Sequence, residues 1–380
     1  MYPPLIIIGS GFAAYQLIKT LRRKNSDMPI QLFTADNGDE YNKPDLSHVF
    51  TRQQRASDLI TMTGKAFATQ QKIEIFANTR VDKIDTDNHT ITANGICYHY
   101  SRLVLATGAK TFIPILTGDA TAEVITLNSL EEYRVSEQRV TQAQRILIMG
   151  GGLIGTELAM DLCSAGKKVQ ILDPSPHLMA SMIPDFVATA LEQQLRNDGV
   201  QIDCLDHVIS VEYDQSCLVA TTRNGLRYKT DCIISAAGLV PNTELAKKAG
   251  LTVQRGIVVD KTLRTSVDNI YALGDCAEIN GKVMACMQPI VLSANVLASQ
   301  LLSSTGELSL PAMMTKVKTP RYPIQSGGNC DSAASWQVNI NEHGILARAY
   351  NHSQHLTGFV VTKDNISQAF PLLRELQAAN

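Results

Sequence analysis

Twice along this chain an apolar run breaks into glycine and then into a helical pattern, and no other feature restricts its fold as tightly. The first instance is Leu5-Ile6-Ile7-Ile8-Gly9-Ser10-Gly11-Phe12-Ala13-Ala14, which predicts a strand, a tight turn and a helix. Gly9 lets the chain reverse, Gly11 leaves no side chain between the backbone and a pyrophosphate, and Ala14 keeps the helix close to the strand. The second is Arg145-Ile146-Leu147-Ile148-Met149-Gly150-Gly151-Gly152-Leu153-Ile154-Gly155, a strand running into a full Gly-x-Gly-x-x-Gly turn. A helix start offers free N–H groups and the positive end of its dipole, so both turns are candidate phosphate sites. Either one alone could be a plain connection. The sequence downstream matches too: turns at Asn94-Gly95 and Asn224-Gly225 lead to buried strands ending at Gly108 and Gly238, thirteen residues on in each case. Two related dinucleotide-binding domains account for both coincidences.

In the first domain Ala13, Leu17, Ile18 and Leu21 mark one helix face, and Arg22, Arg23 and Lys24 suit the C-terminal dipole end. A second strand follows over residues 30–34, where such a fold expects an acid for a ribose hydroxyl. Thr34 holds that place and Asp36 comes two residues later, so Asp36 is the candidate, with a solvated loop acid as the alternative. In the second domain a strand over 169–172 delivers Asp173 eighteen residues after Gly155, where an acid can bind both ribose hydroxyls. No arginine stands directly after it, so a 2′-phosphate would meet a carboxylate. That favours NADH over NADPH.

Three further stretches read as ligand contacts. Tyr41-Asn42-Lys43-Pro44-Asp45-Leu46-Ser47-His48 is rigid at Pro44, and serves either as a helix entry capped by Asp45 or Ser47, or to set Lys43 near phosphate or flavin and Pro44 against the ring. The small residues of Ala106-Thr107-Gly108 permit close approach of a bulky ligand. A strand ends on Gly274-Asp275, and Pro289 opens an apolar helix over 290–302 whose N-terminus can stabilise negative charge, such as that of a reduced flavin. From Pro311 the pattern changes to short strands at 315–317, 336–340, 344–349 and 357–362 and a helix over about 366–376, a small α+β domain.

Charge and cysteine usage narrow the chemistry. Lys plus Arg total 34 against Asp plus Glu 36, a net −2 that argues against nucleic acid or an anionic membrane as the main partner. Residues from Pro311 onward carry six basic and four acidic side chains, and so form a weakly basic end. The first strand begins almost at Met1 with no export signal ahead of it, which points to the cytoplasm. Eight cysteines never approach Cys-x-x-Cys spacing and read as buried free thiols; neither a redox disulfide nor a metal cluster is expected.

With these motifs in place, the chain resembles over its whole length the flavoprotein reductases with two dinucleotide domains, including ferredoxin and rubredoxin reductases. The finer likeness is to the rubredoxin reductases that serve flavorubredoxin in anaerobic nitric oxide reduction. It rests on residues 40–48, 150–161, 270–281 and Lys316-Val-Lys-Thr-Pro320. The resemblance implies an α/β fold: two Rossmann-like domains, for FAD and NAD, plus the small C-terminal α+β domain. The expected divisions are FAD-binding residues 1–113 and 241–310, NAD-binding residues 114–240, and a C-terminal domain over 311–380.

For FAD it implies contacts at Gly9, Gly11, Phe12, Ala13, Ala14 and Asp36, at Lys43, Pro44 and Val81, and at Ala106, Thr107 and Gly108. Asp275 would bind the ribitol, with Gln288, Pro289 and Lys318 nearby. For NAD it implies Gly150, Gly152, Leu153, Ile154, Glu157, Asp173 and Gly238. Many ferredoxin reductases carry a lysine after the Leu-Ser of the 41–48 segment, paired with the glutamate of the second glycine helix. Here Glu157 is kept and the lysine position is His48, so a His48–Glu157 pair, with Lys43, is the expected catalytic set, and a solvent-facing His48 is the alternative. The implied activity is NADH-dependent transfer through flavin to a rubredoxin-type iron centre. A flavin fits between a hydride donor and a one-electron acceptor. Lys316, Lys318 and Arg321 are candidates for docking that partner. A ferredoxin reductase of an oxygenase system and a non-enzymatic NADH-sensing flavoprotein are the competing readings.

Overall fold

The computed structural model describes residues 3–317, 321–331 and 333–378. In chain order it sets out strand β1 (Leu5–Ile8), helix α1 (Phe12–Lys24), β2 (Ile30–Phe33) and β3 (Arg102–Leu105). Next come β4 (Arg145–Met149), α2 (Leu153–Ser164), β5 (Lys168–Asp173) and β6 (Cys232–Ser235). The chain then adds β7 (Ile270–Ala272) and α3 (Met287–Leu301). It finishes with β8 (Met314–Val317), β9 (Ile324–Gly328), β10 (Ser335–Asn341), β11 (Gly344–Tyr350), β12 (Leu356–Thr362) and α4 (Ala369–Ala378).

These elements fall into two compact units. One holds the chain through Lys43, Ala56–Lys110 and Leu239–Leu310; the other holds Pro44–Arg55, Thr111–Gly238 and the chain from Pro311. The first contains a five-stranded parallel sheet in the order β7-β3-β1-β2 followed by Glu74–Phe76. The second contains its counterpart, Val124–Ile125 followed by β6-β4-β5 and then Gln201–Cys204. Each glycine turn thus leaves the central strand of its sheet. All four residues of β1 are buried, as in parallel sheets covered on both faces.

Atomic detail repeats as well. The Gly9 N–H donates to the Phe33 carbonyl at 2.8 Å, and Gly150 N–H to that of Leu172 at 2.8 Å. Asn94 and Gly95, with φ of 50° and 75°, form the two-residue turn between strands Thr90–Ala93 and Ile96–His99, a backbone that matches strand twist. On α1, the expected face of Ala13, Leu17, Ile18 and Leu21 is buried.

The C-terminal strands form an antiparallel sheet in the order β8-β9-β12-β11-β10, with Leu372 and Leu376 of α4 packed on Phe359 and Val361. Three expectations need correction. Strand β9 was not foreseen, because Ile-Gln-Ser-Gly-Gly carries little strand propensity; Gly327 is there because a Cβ would lie 2.6 Å from the Phe359 ring. Helix α3 starts at Met287, with Pro289 in its first turn, where a missing N–H costs nothing. The last helix begins at Ala369 after a 3-10 turn over Lys363–Gln368. No helix among the described residues is long and apolar enough to cross a membrane.

Candidate functional site

At the first turn the two glycines meet different surroundings. Gly9 has φ +107° and a Cβ would lie 2.2 Å from the Ala106 carbonyl oxygen, so it lets two strands close together. Gly11, the N-cap of α1, has nothing within 4 Å of a built Cβ, no side-chain cap, and no acid in the turn that follows. The orphan N–H groups therefore face open space, with Ala13 and Ala14 buried and Phe12 half-buried behind them. Asp36 stands past β2, where Oδ1 accepts from Ser10 Oγ at 2.8 Å, Thr34 Oγ1 at 2.6 Å and the Gly38 N–H at 2.9 Å. Ser10 and Thr34, which the sequence reading gave no role, hold the acid beside the turn.

Two of the other expected flavin contacts come together. Lys43 Nζ lies 3.5 Å from Asp275 Oδ2. Thr107 exchanges two bonds with Asn242: its hydroxyl donates to the Asn242 carbonyl and receives in return, at its own carbonyl, the Asn242 side-chain N–H, both at 2.8 Å. Gly108, φ +66°, has nothing within 4 Å of a Cβ, in keeping with the close approach expected there; the Asn242 clamp beside it was not foreseen. Val81 is buried in Val81–Asp85. The head of α3 has no side-chain cap; Gln288 is exposed there and Pro289 buried. Lys318 lies outside the described residues. The open glycine faces, uncapped helix heads and Lys43–Asp275 pair are a donor set that fits a dinucleotide.

The second turn repeats the first. Gly150 has φ +108° with a Cβ position 2.5 Å from the Ala236 carbonyl oxygen, and Gly155 would press a Cβ to 1.9 Å from the Gly150 carbonyl oxygen. Gly152, N-cap of α2, is open. Leu153 is half-buried and Ile154 is 47% exposed. Gly238 has φ +109°. Asp173 is buried at the end of β5; Oδ2 accepts the Gly151 N–H at 2.5 Å and Oδ1 the Ser175 N–H at 2.7 Å. It therefore shapes the turn besides offering lone pairs to a ribose. Glu157, 4% exposed, accepts from Ser47 Oγ at 2.8 Å. Ser47, which carried no expected role at Glu157, thus donates its hydroxyl to this carboxylate, and His48, one residue on, is half-buried.

All eight cysteines are free, and burial pushes the thiols of Cys204, Cys232 and Cys330 up to about 11. The expectation of buried thiols holds for Cys232 and Cys276; Cys97 and Cys286 are exposed. Among the described residues no group of histidine, cysteine or acid side chains could hold a metal ion.

Residues 3–292 match the pyridine nucleotide-disulphide oxidoreductase family. The chain belongs to that family. Residues 307–376 match the rubredoxin binding C-terminal domain. Within the family, a protein of Aliivibrio fischeri called nitric oxide reductase FlRd-NAD(+) reductase is 53% identical over 378 residues, 99% of each chain. Proteins of that name from Vibrio vulnificus and Shigella sonnei are 51% and 44% identical, over 100% and 98% of both chains. Among solved structures, a ferredoxin reductase for the CYP199A2 system of Rhodopseudomonas palustris superposes with a TM-score of 0.88 at 23% identity, covering 97% of this chain and 93% of that one. A water-forming NADH oxidase from Lactobacillus brevis bound to NADH gives 0.89 at 18% identity, over 99% and 91%. These two likenesses concern the fold alone.

Proposed function

We infer that this chain is an NADH-dependent flavoprotein reductase that passes electrons to the rubredoxin centre of a flavorubredoxin, in support of nitric oxide reduction. The observation that carries the reading is one chain joining two open phosphate-binding turns to a domain of the rubredoxin-binding type. A bound flavin supplies what side chains lack, accepting two electrons as hydride and releasing them one at a time.

The chain binds and orients. The head of α1 takes the FAD pyrophosphate, Asp36 a ribose hydroxyl, and Asp275, steadied by Lys43, the ribitol. Residues 106–108 leave room for the ring, and the head of α3 offers a dipole to negative charge. The head of α2 takes the NADH pyrophosphate and Asp173 the adenosine ribose; Glu157 and His48 serve the nicotinamide. A 2′-phosphate would have to approach the Asp173 carboxylate, so NADPH is the poorer donor.

The test is anaerobic stopped-flow. NADH should bleach the yellow protein faster than NADPH does, and a rubredoxin-type iron protein should restore the colour at least about tenfold faster than a two-iron ferredoxin does. Faster return with the ferredoxin would make this an oxygenase-type reductase; sluggish return with every iron protein would favour a sensor.

A further inference from the structure

Helix α2 is covered nearly all round, and one of its faces carries two acids a turn apart, Glu157 and Asp161, 4% and 6% exposed. Both meet the segment Pro44–Arg55. Ser47 Oγ donates to Glu157 Oε2 at 2.8 Å. The Phe50 N–H donates to Asp161 Oδ2 at 2.7 Å, the Thr51 N–H to Oδ1 at 3.3 Å, and the Thr51 hydroxyl to the Asp161 carbonyl at 3.0 Å. Farther along, the Tyr133 hydroxyl donates to the Gln54 carbonyl at 2.7 Å and the Tyr133 ring meets Phe50 edge-on.

Packing does not call for these acids. Carboxylates four residues apart on a helix repel one another, and each loses its hydration when buried. Two leucines would cover the same segment without either cost. What the carboxylate adds is register: by accepting two successive backbone N–H groups, Asp161 fixes the segment at one height along α2, where an apolar contact would allow it to slide. At that height Ser47 falls opposite Glu157, one turn nearer the glycine loop.

We propose that Asp161 and Ser47 are positioning residues of the hydride-transfer site. Asp161 sets the register of the segment on α2, and Ser47, so placed, fixes the Glu157 carboxylate through its hydroxyl. This rests on the assignment of Glu157 to the nicotinamide in the function inferred above.

The test uses the full-length, flavin-loaded protein and two readouts. Stopped-flow mixing with rising NADH separates the dissociation constant from the limiting rate of bleaching, and hydrogen–deuterium exchange reads the Phe50 and Thr51 amides. In Asp161→Ala those amides should exchange at least about tenfold faster, and the limiting rate should fall about ten- to a hundredfold while the dissociation constant stays within about threefold. Ser47→Ala should slow the limiting rate without opening the amides, and Ser47→Thr, which keeps the hydroxyl, should restore it. An unchanged limiting rate in Ser47→Ala, or in an Asp161→Ala protein whose amides have opened, overturns the proposal. Should Asp161→Ala not fold, the two Ser47 variants decide alone. A protein that NADH does not bleach at all would instead sink the function itself, and is told apart because the unsubstituted chain then fails as well.

Discussion

Gly9 was expected to reverse the chain and Gly11 to leave room for a pyrophosphate, and the structure shows what each one meets. Gly9 is required by the fold: its φ of +107° disfavours any L side chain, and a Cβ would strike the Ala106 carbonyl. Gly11 is required by nothing within 4 Å, and the phosphate site proposed at that turn gives it a reason. Gly9→Ala should therefore cost about 1–3 kcal/mol and lower the melting temperature whether or not flavin is present. Gly11→Val should leave the melting temperature of the flavin-free protein within about 2 °C and yield a chain with little bound flavin, read from its visible absorbance. A bright yellow Gly11→Val protein would remove the phosphate site from that turn. Asp173 carries a similar lesson: its place could be read from spacing, but its hold on the Gly151 N–H could not.

At the scale of elements, the amphipathic and glycine-punctuated pieces formed where their patterns said, and the failures share a cause. Strand β9 has too few apolar residues to announce itself and is held by its neighbours β8 and β12 and by Phe359, whose ring lies where a Gly327 side chain would go. Gly327→Val should overpack this small sheet and destabilise it by about 1–3 kcal/mol. The expected signature is selective: bleaching by NADH persists, while transfer to a rubredoxin-type acceptor drops severalfold. Equal loss of both would show that the C-terminal sheet does not serve the acceptor. Of the residues suggested for docking, Arg321 already pairs with Asp198 at 2.6 Å, and the Lys316 amine lies over the Phe370 ring, which is 58% exposed. Lys316 is thus the better remaining candidate of the two.

For the whole molecule, the charge is uneven although the total is −2, with the excess of basic residues lying beyond Pro311. An acidic iron protein meeting that end should be steered by it, so the rate of colour return should fall about tenfold or more as ionic strength rises from low salt to about 0.5 M. A flat salt profile would place docking elsewhere. The sequence by itself determined the two glycine turns, each leading from a strand into a helix, and the places of Asp36 and Asp173 after them, because each is written in spacing along a few tens of residues. Only the tertiary structure decided that Ser47 faces Glu157 across 110 residues of chain, that Asn242 clamps Thr107, and that residues 44–55 pack with the second unit. Such contacts depend on how separate segments are brought together, and hydrophobic periodicity records only which face of a segment is covered, not by what.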